Sequence, residues 1–150
     1  MVLRTFEDFP AGAEFDLGSH QMTKREIIAY AREYDPQPFH LDEEAGRQSL
    51  LGGLAASGWH TIAVLMRMTY DTLLADTISL GSPGVETLKW LRPVLAGDTV
   101  FAKAVVLSAR PSASRPSMGI ARIRFEMRNQ NGEPVLEEIT SLLLERRNRP

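Results

Sequence analysis

Ala121, Ile123, Phe125 and Met127 alternate with Arg122, Arg124, Glu126 and Arg128. An apolar period of two places one set of side chains on each face of a strand, so this segment predicts a strand with one buried and one wet face. The segments VETLKWLRPV, TVFAKAVVLSAR and PVLEEITSLLLERR are also strand-like. No helical pattern lies between any two of them. Parallel neighbours need a crossover of a dozen or more residues, usually a helix. The second half therefore predicts about four long antiparallel strands and excludes a doubly wound parallel sheet. Asn131-Gly132, in NQNGEP, is a hairpin signal between the last two, and RPSASRPS is a polar loop.

The first half has a different period. FDLGSHQMT predicts a first strand, with Phe15 and Leu17 inward. Thr23 and Glu26 have capping-box spacing, and Ile27, Tyr30, Ala31 and Tyr34 follow as one helical stripe. Pro36 ends that helix, and Asp42, Glu43 and Glu44 open a short second one. From 59 to 74 a third helix is predicted. Ile62, Ala63, Val64, Leu65, Met66 and Met68 make it apolar on nearly every face, so burial on most sides is expected. One such helix followed by a run of strands predicts an α+β fold with an antiparallel sheet curled around the helix.

A chain of 150 residues is expected to form one domain, 1–150, with a core large enough to need no staples. A net charge of −2 sets nucleic acid aside as a partner. The absence of cysteine excludes disulfides, a thiol nucleophile and Cys-ligated metal. His20, His40 and His60 have no ligand-like spacing, so no metal and no other cofactor is expected. No apolar run approaches the roughly 20 residues of a membrane span, and MVLRTFEDFPAG has no signal-peptide core. A cytoplasmic protein is expected.

EYDPQPFHLD carries the chemistry. Asp35 and Gln37 each precede a proline and so favour extended backbone, which leaves the path from Asp35 to His40 few conformations. Acid–base catalysis needs such pre-organised groups. A carboxylate and an imidazole held together can share one water, the first taking its proton and the second orienting it. The same residues also suit a turn with a structural hydrogen-bonded pair.

Asp35-Pro36-Gln37-Pro38-Phe39-His40 resembles the hydratase motif of the MaoC-like dehydratase family, which includes the (R)-specific enoyl-CoA hydratases. That motif has Asp, any residue, Asn, Pro, an aliphatic residue and His. Gln37 stands where Asn is usual, Phe39 where Leu or Ile is usual, and Tyr34 where a glycine often precedes the Asp. LGGLAASG, at 51–58, resembles the family's FGxxxAHG, with Ser57 in place of His and Gly58 retained. RPVLAGDTV, at 92–100, resembles PVxxGD. The resemblance implies a hot-dog fold, with a long central helix wrapped by an antiparallel sheet, and a homodimer or higher oligomer with pockets at its interface. It implies an acyl-CoA thioester substrate, with a 2-enoyl-CoA and an (R)-3-hydroxyacyl-CoA interconverted by Asp35 and His40. Gly58 then matches the backbone donor to the thioester oxygen, a role that suits the N–H groups of a buried helix start.

Gln37, Phe39, Ser57, Trp59 and His60 are the candidate substrate-binding residues. Trp59 and His60 also read as packing or capping groups, and Ser57 as a helix cap or pocket wall, since AASGW lacks the G-x-S-x-G elbow of a serine nucleophile. GGLAASG lacks the spacing of a P-loop or dinucleotide fingerprint. For the CoA phosphates, Arg92 and the 110–115 loop, with Arg110 and Arg115, are better candidates than Lys103, Arg122, Arg124 or Arg128. A hot-dog thioesterase and a non-catalytic CoA-binding subunit are the competing readings.

Overall fold

The structure, a computed structural model, describes residues 2–147. Strand β1 (Glu14–Gln21) leads into helix α1 (Lys24–Tyr34), short helix α2 (Glu43–Gln48) and the long helix α3 (Gly58–Thr72). Strands β2 (Ser79–Gly81), β3 (Val85–Trp90), β4 (Thr99–Pro111), β5 (Met118–Arg128) and β6 (Pro134–Glu145) follow. Every ladder is antiparallel, in the order β1-β4-β5-β6-β2, and β3 pairs with β6 beside β2. The sheet wraps α3: this is the α+β hot-dog arrangement.

The alternation on β5 decides which face is the core. Ala121, Ile123, Phe125 and Met127 are buried, and so are Ala102, Ala104 and Val106 on β4 and Leu136, Leu142 and Leu144 on β6. Val64, Leu65 and Met68 of α3 belong to the same cluster. Each large side chain so buried contributes roughly 1.5–3 kcal/mol. The charged face of β5 is tied by surface pairs instead, Arg122 to Glu86 and Arg124 to Glu126.

Several expectations need correction. Helix α3 runs 58–72, and a 3₁₀ turn (Leu74–Asp76) replaces its predicted last residues. It is not buried on most sides: Trp59, Ala63, Met66 and Tyr70 are exposed, because the sheet covers only one flank. Tyr34 falls off the buried stripe of α1, which rests on Ile27 and Ala31. The strand predicted over 85–94 stops at Trp90, and the short β2 precedes it. The β5–β6 hairpin forms, but through the five-residue loop 129–133. There Asn129 Oδ1 accepts from Asn131 N and Glu133 N, and only Gly132 has a positive φ, of 74°. A two-residue type I′ turn would need positive φ at both central residues.

Candidate active site

Three segments far apart in sequence meet at the start of α3. The Phe39 carbonyl accepts from Ala55 N, the Val94 carbonyl from Ala56 N, and the Leu54 carbonyl from Ala96 N. Asp98 Oδ2 accepts from Leu95 N at 2.9 Å, and Gly97 turns the chain at φ 92°. These bonds hold EYDPQPFHLD, LGGLAASG and RPVLAGD in one cradle.

Asp35 is the C-cap of α1, and His40 ends the 3₁₀ turn Pro38–His40. Asp35 Oδ2 lies 3.3 Å from His40 Nε2. Two donors brace the carboxylate: Ser57 Oγ to Oδ2 and Gln37 Nε2 to Oδ1, each at 2.7 Å. The His40 ring is buried, with the Phe39 ring edge-on to it. Its Nδ1–H donates to the Ala55 carbonyl at 2.7 Å, which leaves Nε2 to face Asp35. Burial pushes the Asp35 pKa up. The hydrogen bonds from Ser57 and Gln37 and the charge of His40 together outweigh burial and hold it below the ordinary carboxyl value. An ionised carboxylate beside an imidazole with a fixed outward nitrogen is equipped to take a proton from water and to pass one on.

The pair opens into a cavity of ≈ 380 Å³. Gln37, Phe39, Gly58 and Trp59 line it, as do Thr61, Trp90 and Arg92. Gly58 is the first residue of α3, whose opening N–H groups have no partner within the helix. A side chain there has no room: a Cβ would lie 2.5 Å from Trp90 Nε1. The Trp90 indole, edge-on to Trp59, is thus what approaches the backbone at this small residue.

Two of the proposed substrate contacts lie elsewhere. Ser57 is fully buried and makes no side-chain cap to α3, because its hydroxyl is committed to Asp35. It stands behind the carboxylate and does not line the cavity. His60 also lies outside the cavity lining. It stacks on Tyr30 at 4.8 Å, with Nε2 3.5 Å from Glu26 Oε1. His20, which sequence spacing gave no role, donates from Nε2 to the same oxygen at 2.7 Å. Burial, the largest influence on His60, lowers its pKa. Sequence reasoning missed Trp90, Thr61 and the Ala55 carbonyl. A glycine at 58 leaves room for a close approach, but nothing in the local sequence names the residue that makes it. Among the basic candidates, Arg92 stands on the cavity wall, paired with Glu133 at 3.1 Å.

The MaoC like domain model matches residues 8–124 of this chain. The chain is 40% identical to a MaoC-like dehydratase from Rhodospirillum rubrum, whose crystal structure superposes with a TM-score of 0.86 over 97% of this chain and 99% of that one. It is 29% identical over 141 residues to the uncharacterized protein YdeM of Bacillus subtilis, covering 93% of this chain and 98% of that protein. At 21% identity, the R-hydratase PhaJ1 from Pseudomonas aeruginosa shares the fold, with a TM-score of 0.74 over 95% of this chain and 86% of that one.

Proposed function

The chain belongs to the MaoC-like dehydratase family, and from that premise we propose that it interconverts a 2-enoyl-CoA and an (R)-3-hydroxyacyl-CoA by addition and loss of water. The observation that carries this reading is the Asp35–His40 pair, braced by Ser57 and Gln37 and open to a cavity that also holds the start of α3.

In hydration, the water oxygen bonds to Cβ and one of its protons passes to the Asp35 carboxylate. The Cα=Cβ electron pair moves toward the thioester carbonyl, and the negative charge develops on its oxygen. The Gly58 N–H, at the positive end of a 15-residue helix, stabilises that charge. The proton taken by Asp35 passes to His40 Nε2 and from there to Cα, where the electrons return, so both groups end as they began. Dehydration reverses each step. Gln37, Phe39 and Trp59 contact the substrate, and Ser57 positions Asp35. Arg92 meets the CoA phosphates at the cavity wall.

A homodimer completes the molecule in this reading. Among the described residues strand β3 pairs only with β6, on one edge, and all of its residues but Leu88 are exposed. Val85 and Trp90 on β3 and Met66 and Tyr70 on α3 are each about half exposed. An unpaired edge and apolar side chains of this kind are normally covered.

The test is a set of 2-enoyl-CoA thioesters presented to the purified chain, with loss of the conjugated enoyl absorbance followed directly. Hydration that depends on Asp35 and His40 is the expected result. Release of free CoA without loss of the enoyl double bond would overturn the reading in favour of a thioesterase. Absence of both reactions would overturn it altogether.

A further inference from the structure

The way the Trp90 indole meets Gly58 leaves its N–H free. A Cβ at Gly58 would lie 2.5 Å from Trp90 Nε1, 2.6 Å from Cε2 and 3.0 Å from Cδ1. An atom in line with the indole N–H, at that distance from Nε1, would lie about 3.5 Å from both ring carbons. The shorter distances mean that the glycine meets the face of the pyrrole ring. The N–H lies in the plane of that ring, so it runs across Gly58 and not into it. It stands on the cavity wall and has no hydrogen-bond acceptor among the described residues.

This N–H and the one at the start of α3 are near enough to share an acceptor. A Cβ sits about 2.5 Å from the nitrogen of its own residue. Trp90 Nε1 and the Gly58 nitrogen are therefore within about 5 Å of each other. Two N–H groups that each reach one oxygen at about 2.9 Å can be at most about 6 Å apart. The other side-chain donors of the wall are placed or engaged elsewhere. Trp59 is turned about 100° around the helix from Gly58. Gln37 donates to Asp35, His40 Nδ1–H to the Ala55 carbonyl, Thr61 to the Ser57 carbonyl and Arg92 to Glu133. Strand register holds the indole where it is: Trp90 stands opposite Leu136 on β6, and Leu91 N donates to the Val135 carbonyl at 2.9 Å. A donor held in place before charge develops costs no reorganisation when it does.

We propose that Trp90 is a further catalytic residue, whose Nε1–H donates beside the Gly58 N–H to the thioester oxygen. The hydrogen bond strengthens as negative charge gathers on that oxygen; Trp90 forms no covalent bond and transfers no proton. This rests on the reading of the Gly58 end as the thioester site.

Trp90→Phe keeps an aromatic face over Gly58 and removes the N–H. With a 2-enoyl-CoA as substrate, kcat should fall about 10²-fold while KM changes about twofold or less. Unchanged kcat, or a loss confined to KM, would overturn the proposal, because a wall contact serves ground state and transition state alike. A second measurement needs neither turnover nor a variant at this position. Butyryl-CoA, which has no double bond to hydrate, is titrated into protein carrying isotope-labelled tryptophan. The chain's two tryptophans give two indole N–H signals, and Trp59→Phe identifies the one from Trp90. That proton should move to lower field as the thioester binds. An unmoved signal, or no binding of butyryl-CoA, would overturn the proposal even if Trp90→Phe fails to fold. Enoyl hydration by wild type is assayed separately. A moved signal without hydration refutes only the hydratase reading, and hydration with an unmoved signal refutes only this one.

Discussion

Asp35→Asn separates the chemistry of the candidate site from its architecture. The carboxylate accepts from Ser57 Oγ and Gln37 Nε2, both at 2.7 Å. Asparagine can keep both contacts if its oxygen turns to Gln37 and its amide donates to Ser57 Oγ, since a hydroxyl can donate or accept. What is lost is the charge. Hydrogen bonds to an ionised group are about twice as strong as neutral ones, so two such losses cost roughly 1–3 kcal/mol. Relief of the desolvation that opposes ionisation offsets part of that, and the net loss of stability at pH 7 is about 1 kcal/mol. The sign with pH follows from the depressed Asp35 pKa. Its stabilisation is present above the unfolded-state value and is lost as pH falls through the folded-state one. The gap between wild type and variant therefore closes below about pH 4. Turnover behaves differently, because the base is gone: hydration of a 2-enoyl-CoA should fall about 10²–10⁴-fold. Urea unfolding at pH 7 and pH 3, with enoyl absorbance assays on the same preparations, measures both. Near-native turnover would refute the role of Asp35, and a stability gap that widens in acid would refute the reasoning about its charge.

Ser57→Ala removes the donor to Asp35 without touching the cavity wall, so it should raise the Asp35 pKa and move the acid limb of the pH–rate profile to higher pH; an unmoved limb would deny the positioning role. Gly58→Ala should displace the Trp90 indole, altering tryptophan emission while turnover falls about tenfold or more; unchanged fluorescence would contradict the contact. Sedimentation equilibrium should find a dimer, and a stable, active monomer would contradict the proposed covering of β3. Glu138→Gln should be more stable than wild type at neutral pH, because a carboxyl whose folded-state pKa is raised costs stability as pH rises past its unfolded value; the gain should vanish below about pH 4.

The parts that were legible in the sequence are those fixed by local rules. The alternation on β5, the cap from Thr23 to the Glu26 N–H and the helix stop before Pro36 all depend on neighbours in the chain. The Asp35–His40 pairing was legible for the same reason, since two prolines leave a six-residue segment few paths. His60 was misplaced by proximity in sequence. It lies two residues after Gly58, but two residues turn a helix by about 200°, so its ring points to Tyr30 and Glu26. Trp90 was illegible because nothing local links it to Gly58; only the return of β3 beside α3 brings the indole there. The exposed side of α3 was hidden by composition, since apolar residues awaiting a partner look the same as apolar residues in a core.

The close contacts made by three glycines are of two kinds, which differ in what a genetic selection could repair. A Cβ at Gly119 would strike the Phe6 ring, and one at Gly58 the Trp90 indole. Both obstacles are side chains, so trimming the partner can make room, and second-site suppressors should arise at Phe6 and Trp90. At Gly46, in α2, a Cβ would lie 2.5 Å from the Gly53 carbonyl carbon and 2.6 Å from Leu54 N, which are main-chain atoms. No substitution can make a backbone smaller. Gly53 and Leu54 lead directly to Ala55, whose carbonyl holds the His40 ring, so a lesion at Gly46 would shift a tether of the candidate site from outside the cavity wall. Revertants at that position should restore glycine itself, and a codon there should tolerate only synonymous change.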